Sequence, residues 1–131
     1  MTTKIQVEDL KAHVDELLGH SDWHDITQEQ VDRFADATGD HQWIHVDAER
    51  AKSGPFGTTI GHGYLTLSLA PIFIFQILKV EGARLVVNYG LGKVRFPAPV
   101  VNAASTRRWM AVAPGSASSS STTKPASTTS L

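Results

Sequence analysis

A chain of 131 residues with 41% apolar side chains has room for one domain with a real hydrophobic core and hardly for two. The absence of cysteine excludes disulfide stapling and thiol chemistry. The net charge of -1 hides an asymmetry: residues 1–50 carry 12 acidic against 4 basic side chains, and residues 51–131 carry 1 against 8. That polarity fits a negatively charged ligand, attraction between subunits, or plain solvated faces beside a basic end. No basic run is interleaved with aromatics, so nucleic acid is not an expected partner. The opening residues are too polar for a secretory signal, and the longest apolar stretch, 64–78, is interrupted by Pro71 and Gln76 and is too short for a membrane span. A soluble, cytoplasmic protein is the expectation.

In chain order, Val7, Leu10, Val14, Leu17 and Leu18 repeat at helical spacing and predict an amphipathic helix stopped by Gly19. Residues 21–26 suit a short strand. Thr27 followed three residues later by Gln30 fits a capping box, so a second helix is predicted from Gln28, with Val31, Phe34, Ala35 and Thr38 on its inner face and Gly39 at its end. Asp47 precedes a further helical turn, and Gly54-Pro55 and Gly57 mark a loop. The apolar positions of 64–78 cover every side of a helical wheel, which predicts an enclosed helix, with Pro71 bending it or marking a weak turn. Residues 84–90 and 93–96 have the β-branched content and alternation of two strands. A helix that needs enclosing, followed by strands able to curl around it, suggests an α+β fold with a sheet wrapped on a central helix.

The polar residues cluster on either side of the loop. Asp40 and His45 give a carboxylate and an imidazole separated by four residues, and a carboxylate can activate a water while an imidazole moves a proton near neutral pH. Taken singly, Asp40 reads as a turn former and His45 as a surface or packing histidine; the pair is what suggests chemistry. His62, between Gly61 and Gly63, adds a third polar group at the mouth of the apolar run. The spacing of His41, His45 and His62 matches no common zinc pattern, so no metal is expected. The glycines around position 61 match no nucleotide fingerprint, because no strand precedes them at the required spacing.

The phrase Phe34-Ala35-x-x-Thr38-Gly39-Asp40-x-x-x-Ile44-His45-x-Asp47, followed by Ile60-Gly61-His62-Gly63-Tyr64, resembles the MaoC-like hydratases, the (R)-specific enoyl-CoA hydratases of the hot-dog fold. The resemblance covers residues 5–100. It implies a long central helix wrapped by an antiparallel sheet, a homodimer, and acyl-CoA or acyl-carrier thioester substrates, with no cofactor beyond the thioester itself. It assigns Asp40 and His45 as the catalytic pair, and Gly63, His62, Gln42 and Tyr64 to substrate binding, the Gly63 N–H holding the thioester carbonyl. The expected reaction is hydration of a trans-2-enoyl thioester to the (R)-3-hydroxyacyl thioester and its reverse. Thioester hydrolysis and a noncatalytic acyl-binding or structural role on the same fold are the alternatives. Two departures stand out: Gln42-Trp43 replaces the Asn-Pro common in the family, and residue 61 is glycine where many relatives carry a bulkier small residue.

After residue 100 the composition changes. Of the 31 residues from Val101 onward, 8 are Ser, 5 Thr and 6 Ala, too few apolar groups to offset backbone ordering. The organisation read from the sequence is therefore a domain over 1–100 and a Ser/Thr/Ala-rich tail over 101–131, disordered from about Ala113, which leaves the sheet incomplete at its C-terminal end.

Overall fold

The structure, a computed structural model, describes residues 1–101 and 107–108. The tail expected to be disordered lies outside these residues. The described chain divides into two units, one built from Met1–Trp23 and Leu67–Pro97, the other from His24–Thr66 and Ala98–Arg108.

In the first unit, strand β1 (Thr3–Gln6) runs into a 3-10 helix at Val7–His13. The amphipathic helix expected over 7–18 does not extend further. Val14 is already extended, Asp15 has φ 63°, and Val7, Val14 and Leu17 are exposed. A short helix gains most of its stability from packing an apolar face, and none of the residues of this 3-10 helix is buried.

The second unit starts with β2 (His24–Asp25), inside the segment predicted as a strand, and continues into α1 (Gln28–Thr38). Both ends of α1 fall where the sequence puts them. Thr27 Oγ1 accepts from the Gln30 N–H at 3.2 Å, and Gly39, at φ 79°, donates its N–H to Ala35 O at 2.8 Å. Val31 and Ala35 are fully buried on the predicted face. Two short helices follow, α2 (Trp43–Val46) and α3 (Ala48–Lys52), the latter capped by Asp47, whose carboxylate accepts from Arg50 N–H at 3.0 Å. Beyond the expected loop, β3 (Ile60–Gly61) leads directly to α4 (Gly63–Ser68).

The apolar run forms two helices, with Leu69 at φ -82°, ψ -7° between α4 and α5 (Ala70–Ile77). Pro71 is the second residue of α5, where a missing N–H is tolerated, so it starts a helix instead of bending one. The run is not enclosed on all sides among the described residues. Leu65, Leu69, Phe73 and Ile77 are buried at intervals of four, whereas Ile72 and Phe75 are about half to two-thirds exposed. Leu78 turns extended at the end of α5, and the chain passes without a loop into β4 (Leu78–Glu81).

Strand β4 pairs in parallel with β1, Thr3 opposite Leu78 and Gln6 opposite Glu81. Ile5 and Leu78 are buried there, and Gln76 at the end of α5 accepts from Thr2 Oγ1 and from the Asp22 N–H, each at 2.8 Å. The other two pairings are antiparallel: β3 with β5 (Val100–Val101), and β2 with β6 (Arg107–Arg108). The strands expected over 84–90 and 93–96 do not form. Leu85, Val86, Val87 and Tyr89 are exposed and no regular element is present between Gly82 and Pro99. Strand propensity reflects packing on a half-buried surface, and this stretch has none.

Candidate active site

The end of α1 sets the site. Gly39 in the left-handed region turns the chain out of the helix, and Thr38 Oγ1 donates to Phe34 O at 2.8 Å and receives the Asp40 N–H at 3.4 Å. The Asp40 carboxylate then accepts from the Gln42 N–H at 3.4 Å, and Gln42 O accepts the His45 N–H at 2.9 Å, closing the turn that starts α2. Trp43 stiffens this turn from outside. The Arg50 guanidinium lies 4.5 Å from its ring centroid, and Gly54 comes so close that an added Cβ would sit 2.9 Å from Trp43 Cζ3. The indole at position 43 is thus packed closely between Arg50 and the Gly54 backbone.

Two imidazoles occupy the interior. His45 is 7% and His62 2% exposed, their rings stacked at 3.8 Å between centroids and 27° between planes, with Phe34 4.9 Å from the other ring, His62. Both face carbonyl oxygens, which only accept, so their tautomers follow from their partners. His45 Nδ1 donates to Ile60 O at 2.7 Å, leaving Nε2 with its lone pair. His62 Nε2 donates to Asp40 O at 3.0 Å, leaving Nδ1 with its lone pair, buried and without a hydrogen-bond partner among the described residues. Asp40, His45 and His62 each offer an atom within 4.8 Å of the others, with Asp40 exposed and both histidines buried.

The sequence-predicted residues are therefore partly brought together. Asp40, His45 and His62 converge. Gln42 adjoins them through its backbone and is exposed; Gly63 follows His62 as the first residue of α4; Tyr64 is 70% exposed. The first backbone bond of α4 runs from the Thr66 N–H to His62 O at 3.1 Å, so the Gly63 N–H belongs to the helix start, where no intrahelical acceptor exists.

Two residues carry the frame without having been legible as such. Gln28 donates its side-chain amide to His45 O at 2.8 Å and accepts from Thr59 Oγ1 at 2.6 Å, while Thr59 is 3% exposed and precedes Ile60. His45 is thus held at its carbonyl by Gln28 and at its ring by Ile60, with the Gln28–Thr59 bond fixing one support relative to the other. The side-chain partners of Gln28 and Thr59 lie 17 and 31 residues apart in the chain, and no local pattern signals them.

For a metal ion the available donors are the Asp40 carboxylate, His45 Nε2 and His62 Nδ1. Ligation needs ring-plane lone pairs that converge at about 2 Å from one point. Two imidazoles stacked at 3.8 Å and 27° hold theirs in nearly parallel, separate planes, which suits hydrogen bonds to a small molecule better.

A family model described as MaoC like domain matches residues 9–124. The chain belongs to the MaoC-like domain family. Among relatives of this MaoC-like domain, the 3-hydroxyacyl-thioester dehydratase Z of Mycobacterium tuberculosis is 62% identical over 100 residues, covering 76% of this chain and 66% of that protein. Nodulation protein N of Rhizobium leguminosarum bv. viciae is 42% identical over 106 residues, covering 79% and 66%. The match thus spans slightly under two thirds of these relatives' own length. Of solved structures, the monoamine oxidase regulatory protein from Archaeoglobus superimposes with TM-score 0.55 at 27% identity over 77% of this chain and 66% of its own. The R-hydratase PhaJ1 from Pseudomonas aeruginosa does so with TM-score 0.51 at 28% identity over 66% and 54%. These likenesses bear out the α+β hot-dog fold class. No helix among the described residues of the MaoC-like domain is long and apolar enough to cross a membrane.

Proposed function

We propose that this MaoC-like domain hydrates a trans-2-enoyl thioester to the (R)-3-hydroxyacyl thioester and catalyses the reverse dehydration. The observation that carries the reading is the state of His45. With Nδ1–H committed to the Ile60 carbonyl, the buried ring has Nε2 left for proton transfer, in a cluster with the Asp40 carboxylate whose donor atoms lie within 4.8 Å of one another. In the hydration direction the water oxygen bonds to C3 as one O–H proton passes to the Asp40–His45 pair. The electron pair of the C2–C3 double bond moves toward the thioester, and the pair returns a proton to C2. The Gly63 N–H donates a hydrogen bond to the thioester oxygen, where the enolate charge develops. The net change is one water added, with no redox group or metal required by the balance. The relatives named as a dehydratase and an R-hydratase support this chemistry, and an acyl-CoA or acyl-carrier thioester is the substrate class it implies. The exposed Ile72 and Phe75 of α5 suit an interface with a second copy, which fits a cytoplasmic homodimer working in fatty acid metabolism.

Loss of crotonyl-CoA absorbance, with the stereochemistry of the product, tests the proposal. Asp40→Asn and His45→Ala should each lower kcat by about 10²-fold or more, the usual share of general acid–base catalysis. Unchanged rates in both would remove the pair from the mechanism, and release of free thiol without hydration would favour thioester hydrolysis.

A further inference from the structure

Among the described residues, His62 Nδ1 is the buried side-chain polar atom without a partner, on a residue 2% exposed. Leaving a buried acceptor unpaired costs about 1–3 kcal/mol, so an atom in that condition is expected to meet a donor in the working state. Its neighbours in the cluster cannot serve. The Asp40 carboxylate is an acceptor itself, and His45, in the same cluster of donor atoms within 4.8 Å of one another, has its Nδ1–H committed to Ile60 O. What satisfies acceptors clustered in this way is a small molecule that brings hydrogens. Two hydrogen bonds of about 2.8–3.0 Å from one water span about 4.5 Å between their acceptors, within the separation available here.

We propose that His62 Nδ1 holds the second hydrogen of the reacting water, the one that stays on oxygen. Hydration breaks one O–H bond, whose proton goes to the Asp40–His45 pair, and keeps the other as the hydroxyl of the product. Binding the retained hydrogen at Nδ1 leaves the transferable one for the pair and a lone pair on oxygen for C3. In dehydration the same nitrogen receives the hydroxyl hydrogen of the substrate. The Nε2–H bond to the Asp40 carbonyl then has a defined purpose: it excludes the tautomer in which Nδ1 is a donor, and it ties the acceptor to the residue whose carboxylate takes part. This inference rests on the hydration reading and adds His62 to the groups that touch the reacting atoms.

Three substitutions separate the two edges of the ring. His62→Asn keeps an oxygen close to the place of Nδ1 and gives up the bond to Asp40 O; His62→Gln reaches the Nε2 place and loses the acceptor; His62→Phe keeps only the stack. Near-UV circular dichroism and denaturant midpoints identify which variants fold. Among folded variants, His62→Phe and His62→Gln should lose about tenfold or more in kcat with KM for crotonyl-CoA within about twofold, whereas His62→Asn should recover most of kcat. A full-rate His62→Gln beside an impaired His62→Asn would overturn the proposal in favour of a purely positioning bond to Asp40. Imidazole ¹⁵N spectra of the intact chain give a readout without turnover: an Nε2–H tautomer for His62 is expected, and Nδ1–H would overturn the inference alone. A wild-type chain without hydration would instead overturn the reading on which it rests.

Discussion

Residues 84–97 carry the larger share of apolar side chains, 7 of 14 against 11 of 35 in residues 28–62, yet only the latter stretch forms regular elements. Around the site, side chains hold the backbone across long gaps in the chain: Gln28 to the His45 carbonyl, Thr59 to Gln28, His45 to Ile60 O, His62 to Asp40 O. In 84–97 Leu85, Val86, Val87 and Tyr89 stand in solvent, with no regular element formed. The difference teaches that strand-like composition becomes a strand only where a partner strand and a covered face exist. Polar residues bridging separate elements have fixed the site instead.

The comparison is most open to attack through equal truncations in the two regions. Ile60→Ala, at a position 8% exposed on β3, should lower the unfolding free energy by about 2–5 kcal/mol, the range for truncating a buried Ile or Leu. Leu85→Ala, at 79% exposed, should change it by less than about 0.5 kcal/mol. Denaturant titration supplies both numbers, and similar losses would mean that 84–97 is covered in solution, for instance by a second copy. A smaller effect is expected from Gln28→Ala. It leaves the buried Thr59 hydroxyl without the acceptor it now has and frees the His45 carbonyl, which should cost about 1–3 kcal/mol and lower kcat for hydration more than it raises KM. A variant as active as the wild type would reduce Gln28 to a helix-start residue.

The weakest expected effect lies on the surface beside the site. His41 donates to or shares a proton with Asp36 at 2.9 Å, and that hydrogen bond, first among the causes, holds its pKa above the ordinary histidine value. A group whose folded pKa is raised stabilises the fold below its unfolded pKa, and the contribution disappears as pH rises through the folded value. Asp36→Asn should therefore bring the His41 titration, followed by its imidazole proton resonances, back down and flatten this slight slope. A titration unmoved by the change would assign the shift to Gly39 O or Asp40 instead.

The parts legible in the sequence are those coded locally. Thr27 and Gly39 bound α1, Asp47 caps α3, Val31 and Ala35 face inward, and Asp40, His45 and His62 do converge. The caps and the inward face depend on residues within a few positions of one another, whereas His62 joins Asp40 from 22 residues away and was legible through the two-part motif. The helix over 7–18 was miscoded by the same local logic, because its stripe of Val7, Val14 and Leu17 found nothing to cover it. The tautomers of His45 and His62 were out of reach, since they are set by backbone carbonyls 15 and 22 residues away. Gln28 and Thr59 were out of reach for the same reason. Pro71, read as bending one helix or marking a weak turn, is the second residue of α5, and the break falls at Leu69.

The parallel pairing of β1 with β4 has a consequence for how the chain is made. Thr3 meets Leu78 and Gln6 meets Glu81, so β1 leaves the ribosome 75 residues ahead of the strand it pairs with. At synthesis rates of about 5–20 residues per second the interval is about 4–15 s. Throughout it, Ile5 has no sheet to enter, while both caps of α1 lie within Thr27–Gly39 and emerge together with it. A chain ended at Ile77, before β4, would therefore leave the amides of Thr3–Gln6 exchanging freely, and the full chain would protect them against β4.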